Sequence, residues 1–143
     1  MLATTERVEL IEYAEDLAKK ILQSDLAEQY RICLYNLQSS DEAQRKIRHF
    51  VRLKDQYDEV QRFGKYHPDY KRIMSRIREA KREVDLDPDV AAFKLAENDL
   101  QSLLDQVSIL IGGAVSQQIK VPTGNPFFDT SGCGGGGACG CSA

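Results

Sequence analysis

Apolar residues recur along most of this chain at steps of three and four, the period of a helix with one buried face. Leu10, Ile11, Ala14, Leu17, Ala18, Ile21 and Leu22 mark a first amphipathic helix over residues 5–23. Ser24 and Asp25 interrupt it, and Asp25 followed by Glu28 has the character of an N-cap with an acid in the first turn. A second helix then carries Leu26, Tyr30, Cys33, Leu34 and Leu37. Ser39 and Glu42 stand at capping-box spacing and open a third, with Ala43, Ile47, Phe50, Leu53, Tyr57 and Val60 on one side, stopping near Gly64. Pro68 suits the first turn of a fourth, whose stripe is Tyr70, Ile73, Met74, Ile77, Ala80 and Val84. Asp87-Pro88 reads as an N-cap followed by proline at the first helical position. From there Val90, Phe93, Ala96, Leu100, Leu103, Leu104, Val107, Leu110, Ile111, Ala114 and Val115 keep the period over residues 88–117.

A helix of that length would measure about 45 Å, more than the diameter of a compact domain this small. Part of its apolar face therefore needs a partner, by self-association or with another chain. The fold class predicted is all-α: an elongated bundle of about five helices with a long C-terminal helix. No internal repeat is visible, and the spacing is not strictly heptad, so a simple coiled coil is the poorer description.

Composition divides the 143 residues unevenly. Seven of the 10 glycines and three of the 4 cysteines follow residue 120. Residues 1–120 thus read as a helical domain and residues 121–143 as a flexible Pro/Gly/Cys-rich tail in which nothing from Ser131 onward can build a core. The longest nearly apolar run, Val107 to Val115, is nine residues, against the ~20 that span a bilayer. Glu6, Arg7, Glu9, Glu12, Glu15 and Asp16 fall where a signal peptide would be apolar. The cytoplasm is the expectation, and there clustered cysteines more often serve metal or redox chemistry than structural disulfides.

The net charge of -3 conceals an asymmetry. Residues 45–82 hold 13 of the 19 basic residues and only 5 of the 22 acidic ones, a local balance of +8 that leaves -11 elsewhere. Arg45, Arg48, Arg52, Arg62, Lys65, Lys71, Arg72, Arg76, Arg78 and Arg82 form either a landing site for RNA or an acidic partner, or solvated helix faces paired with acidic neighbours. Interleaved Asp55, Asp58, Glu59 and Glu79 favour the plainer alternative, and no RNA-binding module signature is present.

Cys133, Cys139 and Cys141 form a C-x5-C-x-C cluster among glycines. Thiolates are the soft ligands that zinc and iron–sulfur clusters prefer, although the spacing matches neither a zinc-finger pair nor the ferredoxin pattern. Redox-sensitive thiols or an inert tail are the alternatives. Three thiolates leave a four-ligand site incomplete. A fourth ligand would come from another chain, a non-cysteine group, or Cys33, whose place on an apolar stripe marks it as a core thiol. The ring pair Phe127-Phe128 either anchors the tail or docks a partner. Catalysis has little support: His49 lies among charges, His67 precedes Pro68 in a turn as a packing or capping residue, and no nucleophile–base pair or phosphate loop is visible. A non-enzyme is expected.

The segments QRFGKYHPDY (61–70) and VPTGNPFFD (121–129) and the glycine-rich tail with its three cysteines closely resemble the YlbF/YmcA family. The likeness extends to the ERVELIEYAEDLAKKILQSD opening and the AAFKLAENDLQSLLDQVS stretch, so it covers essentially the whole chain. What the resemblance implies is a helical regulatory subunit of a ternary complex with YmcA-like (RicA) and YaaT-like (RicT) chains, carrying 4Fe–4S clusters. That complex works with the endoribonuclease RNase Y in maturing particular mRNAs, and so affects competence, biofilm formation and sporulation. Carried onto this chain, the cluster ligands would be Cys133, Cys139 and Cys141, with the remaining ligands supplied by partner subunits. A stand-alone redox or zinc sensor, and a direct RNA-binding protein using residues 45–82, are the competing readings.

Overall fold

The computed structural model describes residues 4–124, all-α as the periodicity predicts. Five α-helices follow in order: α1 (Thr5–Leu22), α2 (Asp25–Ser39), α3 (Asp41–Phe63), α4 (Tyr70–Asp85) and α5 (Pro88–Val115), with a single 3₁₀ turn at Gly64–Tyr66. No described helix is long and apolar enough to cross a membrane. Within the described residues the packing gathers into two units that divide between Asn98 and Asp99, inside α5.

In the first unit the helix joints are stitched by side chains that satisfy orphan backbone groups. Ser24, not Asp25, is the N-cap of α2: its hydroxyl donates to Ile21 O at 2.6 Å and accepts from Ala27 N at 3.3 Å. The expected capping box shifts likewise by one residue. Ser39 is the last residue of α2, and Ser40 caps α3 by accepting from Ala43 N. In both cases a polar pair straddles the joint, and the cap falls to the serine whose backbone is extended. At the C-terminal ends, the Arg31 guanidinium donates to Leu22 O and the Gln44 amide to Leu37 O.

α3 and α4 form an antiparallel hairpin around Leu53, Val60, Ile73 and Ala80, all buried. Its turn depends on Gly64, at φ 60 and ψ -152, a region essentially closed to other residues. Pro68 does not open α4; the helix begins at Tyr70. The reason lies in His67, whose Nδ1 accepts from Asp69 N at 3.1 Å and holds Pro68 and Asp69 in a turn. The His67 ring sits 6.0 Å from that of Phe63, so this histidine holds the turn and packs, the packing role being one of the two its position in the sequence indicated.

Asp87 joins α3 to α5. Its Oδ1 accepts from the N–H groups of Asp89 and Val90 at 3.1 and 3.4 Å, capping α5, while Oδ2 receives Lys46 Nζ of α3 at 2.8 Å. The carboxylate is 3% exposed and fully partnered. The Lys46 ammonium holds the Asp87 carboxyl below its ordinary value of 3.8, and Asp87 in turn raises Lys46 above 10.5. One residue pair away, Asp85 bridges Lys81 and Lys94 across the turn between α4 and α5.

The hydrophobic core of this unit is thin. Its buried apolar residues are Ala27, Cys33, Ala43, Leu53, Val60, Ile73, Ala80, Val90 and Ala96, and the four alanines among them supply little area. Tyr30 of α2 and Phe93 of α5, 5.5 Å between ring centres, add an aromatic contact.

Asp87→Ala removes a cap and a salt-bridge partner together and is expected to cost about 1–2 kcal/mol, read from the denaturant midpoint. Since the folded carboxyl is depressed, its contribution is full above the unfolded value of 3.8 and fades as pH falls through the folded one. The stability gap between wild type and Asp87→Asn should therefore close in acid. A gap independent of pH would contradict the pairing.

Candidate functional site

The main feature of the surface is apolar helix face that the described residues leave uncovered. The stripe of α1 runs Leu10, Ala14, Leu17, Ile21, and only Leu17 and Ile21 are half-buried. Leu10 is 67% exposed and Tyr13 72%, and α1 contributes no buried residue at all. The periodicity marks this stripe for burial; the fold covers it only at its C-terminal end, where α1 packs on α2. Tyr35 on α2 is also exposed. Monomeric soluble proteins rarely leave contiguous apolar faces in water.

The second unit repeats the pattern. Leu104, Ile111 and Val115 stand seven and four residues apart on one face of α5, and all are exposed, Val115 at 73%. The helix ends at Val115, two residues earlier than the apolar pattern indicated and well before Pro122. Gly112 and Gly113 weaken its last turn. Past it, Ser116 makes a turn, its hydroxyl accepting from Gln118 N at 3.2 Å and its carbonyl from Ile119 N at 3.2 Å.

The chain then doubles back along α5. Val121 lies directly over Gly112, where an added Cβ would collide with Val121 Cγ2. Three residues on, Gly124 N donates to Asp105 Oδ1 at 3.0 Å, and the same oxygen accepts from Gln101 Nε2 at 2.8 Å. Asp105 is 3% exposed. A buried carboxylate receiving a backbone N–H is a strong tether, since the hydrogen bond is charge-assisted. The last described residue before the cysteine segment is thus held against the middle of α5 and not at its end. Neither Asp105 nor Gly112 stands out in the sequence. The one available signal was an acid set among the apolar positions of a long helix, with Gln101 one turn before it.

Among the residues singled out from sequence, Cys33 is a buried thiol in α2, with the Gln29 amide 3.4 Å from its sulfur. Cys133, Cys139 and Cys141, the Phe127-Phe128 pair and the expected mobility of residues 131–143 all lie outside the described residues, as does the Lys65 side chain. Within the described residues no group of three or more His, Cys, Asp or Glu could hold a metal ion. Of the basic residues, Lys46, Arg72 and Lys81 are paired with acids as the plainer reading anticipated. Arg45, Arg48, Arg52, Arg76 and Arg78 form no ion pair among the described residues, so that reading holds for part of the stretch only.

The class these features define is a small all-α protein carrying more apolar helix face than its described residues cover. Residues 10–116 match the family described as "Control of competence regulator ComK, YlbF/YmcA", and the chain belongs to that family. It is 58% identical over 146 aligned positions to the Regulatory protein YlbF of Bacillus subtilis (strain 168), a match spanning 99% of this chain and 98% of the relative. A chain of the crystal structure of Bacillus subtilis RicA in complex with RicF superposes with a TM-score of 0.74 at 57% identity, covering 79% of this chain and 98% of that one.

Gly112→Ala separates two effects on α5. Alanine favours the helix by about 1 kcal/mol, yet its Cβ displaces Val121, an overpacking that costs about 1–3 kcal/mol. Helical content by circular dichroism should hold while amide exchange at Gly124 speeds up by about tenfold. Unchanged exchange there would contradict the strap.

Proposed function

We propose that this protein is a non-catalytic regulatory subunit that assembles with a RicA-like (YmcA-like) helical partner, its uncovered α1 and α5 faces forming the contact. The observation that carries the reading is the coincidence of two facts: apolar stripes that the described residues leave largely exposed, and a 57% identical solved chain that comes from a two-protein complex. Burying a Leu or Ile side chain is worth about 1.5–3 kcal/mol, so a handful of such residues suffices to drive association.

The assembly proposed extends to a YaaT-like third subunit and a shared 4Fe–4S cluster, with Cys133, Cys139 and Cys141 as this chain's ligands. Donor chemistry supports it. Three thiolates among glycines fit an iron site but do not complete one. Cys33 does not fill the gap, since reaching a shared site would require taking a buried residue out of α2. When bound, such a cluster supplies strong iron–thiolate links between chains. The protein's own part is to present its thiolates from a segment rooted at Asp105. The role we infer for the complex is to promote RNase Y-dependent mRNA maturation, and through it competence, biofilm formation and sporulation.

Two experiments test this. Leu10→Glu and Val115→Glu, both at exposed positions, should leave the free chain helical but weaken binding of a RicA-like partner at least about tenfold; unaltered affinity in both would sink the assigned faces. Anaerobic co-purification with RicA-like and YaaT-like chains should give iron, acid-labile sulfide and absorption near ~400 nm. Cys133→Ser, Cys139→Ser and Cys141→Ser should each lower the iron content. Full iron in all three variants, or zinc alone in the wild type, would overturn the ligand assignment.

A further inference from the structure

The α3–α4 hairpin carries a surface that assembly through α1 and α5 does not use. Arg45, Arg48, His49 and Arg52 follow one another at steps of three, one and three, so they share one face of α3, opposite the buried Ala43 and flanking the buried Leu53 and Val60. All four side chains are exposed and none pairs with a carboxylate among the described residues. Together with Lys46 and Glu83 they line a surface cleft of about 350 Å³. Continued down the same face, the line reaches Phe63, 18 residues beyond Arg45 and about 27 Å away along the helix axis.

At that end the hairpin turn presents two aromatic rings to solvent, Phe63 at 68% exposure and Tyr66 at 89%. Beside them Arg62 and His67 line a second cleft of about 400 Å³. Phe63 rests partly on the His67 ring, and both it and Tyr66 still leave most of their surface in solvent. An unpaired guanidinium row and, about 16 Å further along the same face past Gln56 and Glu59, exposed aromatic rings combine the two elements of single-strand recognition: cations that follow a phosphate backbone, and ring faces on which unstacked bases lie.

We propose that the α3–α4 hairpin binds single-stranded RNA, with Arg45, Arg48 and Arg52 on the phosphates and Phe63 and Tyr66 as the stacking platform. RNA is the polymer whose loops and ends offer splayed bases to aromatic and Arg planes. An acidic helix of a protein partner would satisfy the arginines but would leave the rings without a role. Glu83 at the cleft edge, and Glu59 and Asp69 by the turn, keep binding weak enough to be reversible. The proposal goes beyond the assembly reading and does not depend on it, since the hairpin belongs to the free chain.

The test is fluorescence anisotropy of the full chain, without partners, against a labelled unstructured RNA of about 15 nucleotides, between ~50 and ~200 mM salt. Binding should fall steeply with salt. Arg48→Glu with Arg52→Glu should weaken it at least about tenfold and flatten the log–log salt slope by about 1.4, at ~0.7 for each phosphate no longer neutralised. Tyr66→Ala should weaken it several-fold with the slope unchanged, as expected when stacking is removed and charge is kept. Both variants should remain helical by circular dichroism. Affinity unaffected by the double charge reversal, a preference for duplex RNA of the same length, or no binding at ~50 mM salt would each overturn the proposal.

Discussion

Asp87 stands where three helices have to agree. It ends the turn after α4, caps α5 with one oxygen, and takes the ammonium of Lys46 on α3 with the other. The two roles reinforce each other, because the cap holds the carboxylate in the geometry that the lysine needs. Lys46 also keeps Glu42 within 3.0 Å, and Asp85 draws Lys81 and Lys94 across the neighbouring turn. In a unit whose core is largely small residues, this polar joint fixes where α5 begins and how its first turn meets α3. A charge this little exposed survives only fully partnered, and every buried side-chain polar atom among the described residues has its partner.

A thin core and bare helix faces are two sides of one fact. Apolar residues are not scarce in this chain; they are placed where its own fold does not cover them. Val8, Leu10, Ile11 and Tyr13 on α1, and Leu104, Leu110, Ile111 and Val115 on α5, are larger than most of what the core contains. Stability and association then draw on the same residues, which ties the folded population to the presence of whatever covers them. The second unit adds a directional device. By fastening Gly124 to Asp105 and seating Val121 over Gly112, the chain turns residues 116–124 back along α5.

Much of the fold was legible because it rests on periodicity and capping chemistry. Five helices, the stop at Gly64, the Asp87-Pro88 start and the buried Cys33 all follow from local rules. What escaped is instructive in kind. At both serine pairs, Ser24-Asp25 and Ser39-Ser40, either residue has a side chain able to cap, and backbone geometry decides. Pro68 fits a first helical turn in isolation but is held outside α4 by the His67 imidazole, a contact between neighbours that spacing does not reveal. The stripe of α1 announces a face to be covered and is silent on what covers it. Asp105 escaped because its partner, Gly124, lies 19 residues away and nothing local links them. The basic stretch divided: Lys46, Arg72 and Lys81 are paired with acids, whereas Arg45, Arg48 and Arg52 on α3 and Arg76 and Arg78 on α4 form no ion pair among the described residues.

The central claim is that the uncovered faces of α1 and α5 are the contact with a helical partner. It is tested most directly by hydrogen–deuterium exchange of the full chain with and without a purified RicA-like protein. The account predicts new protection concentrated over residues 8–13 and 104–119, with the α3–α4 hairpin unchanged. Protection confined to α3 and α4, with α1 and the end of α5 exchanging as in the free chain, would contradict it.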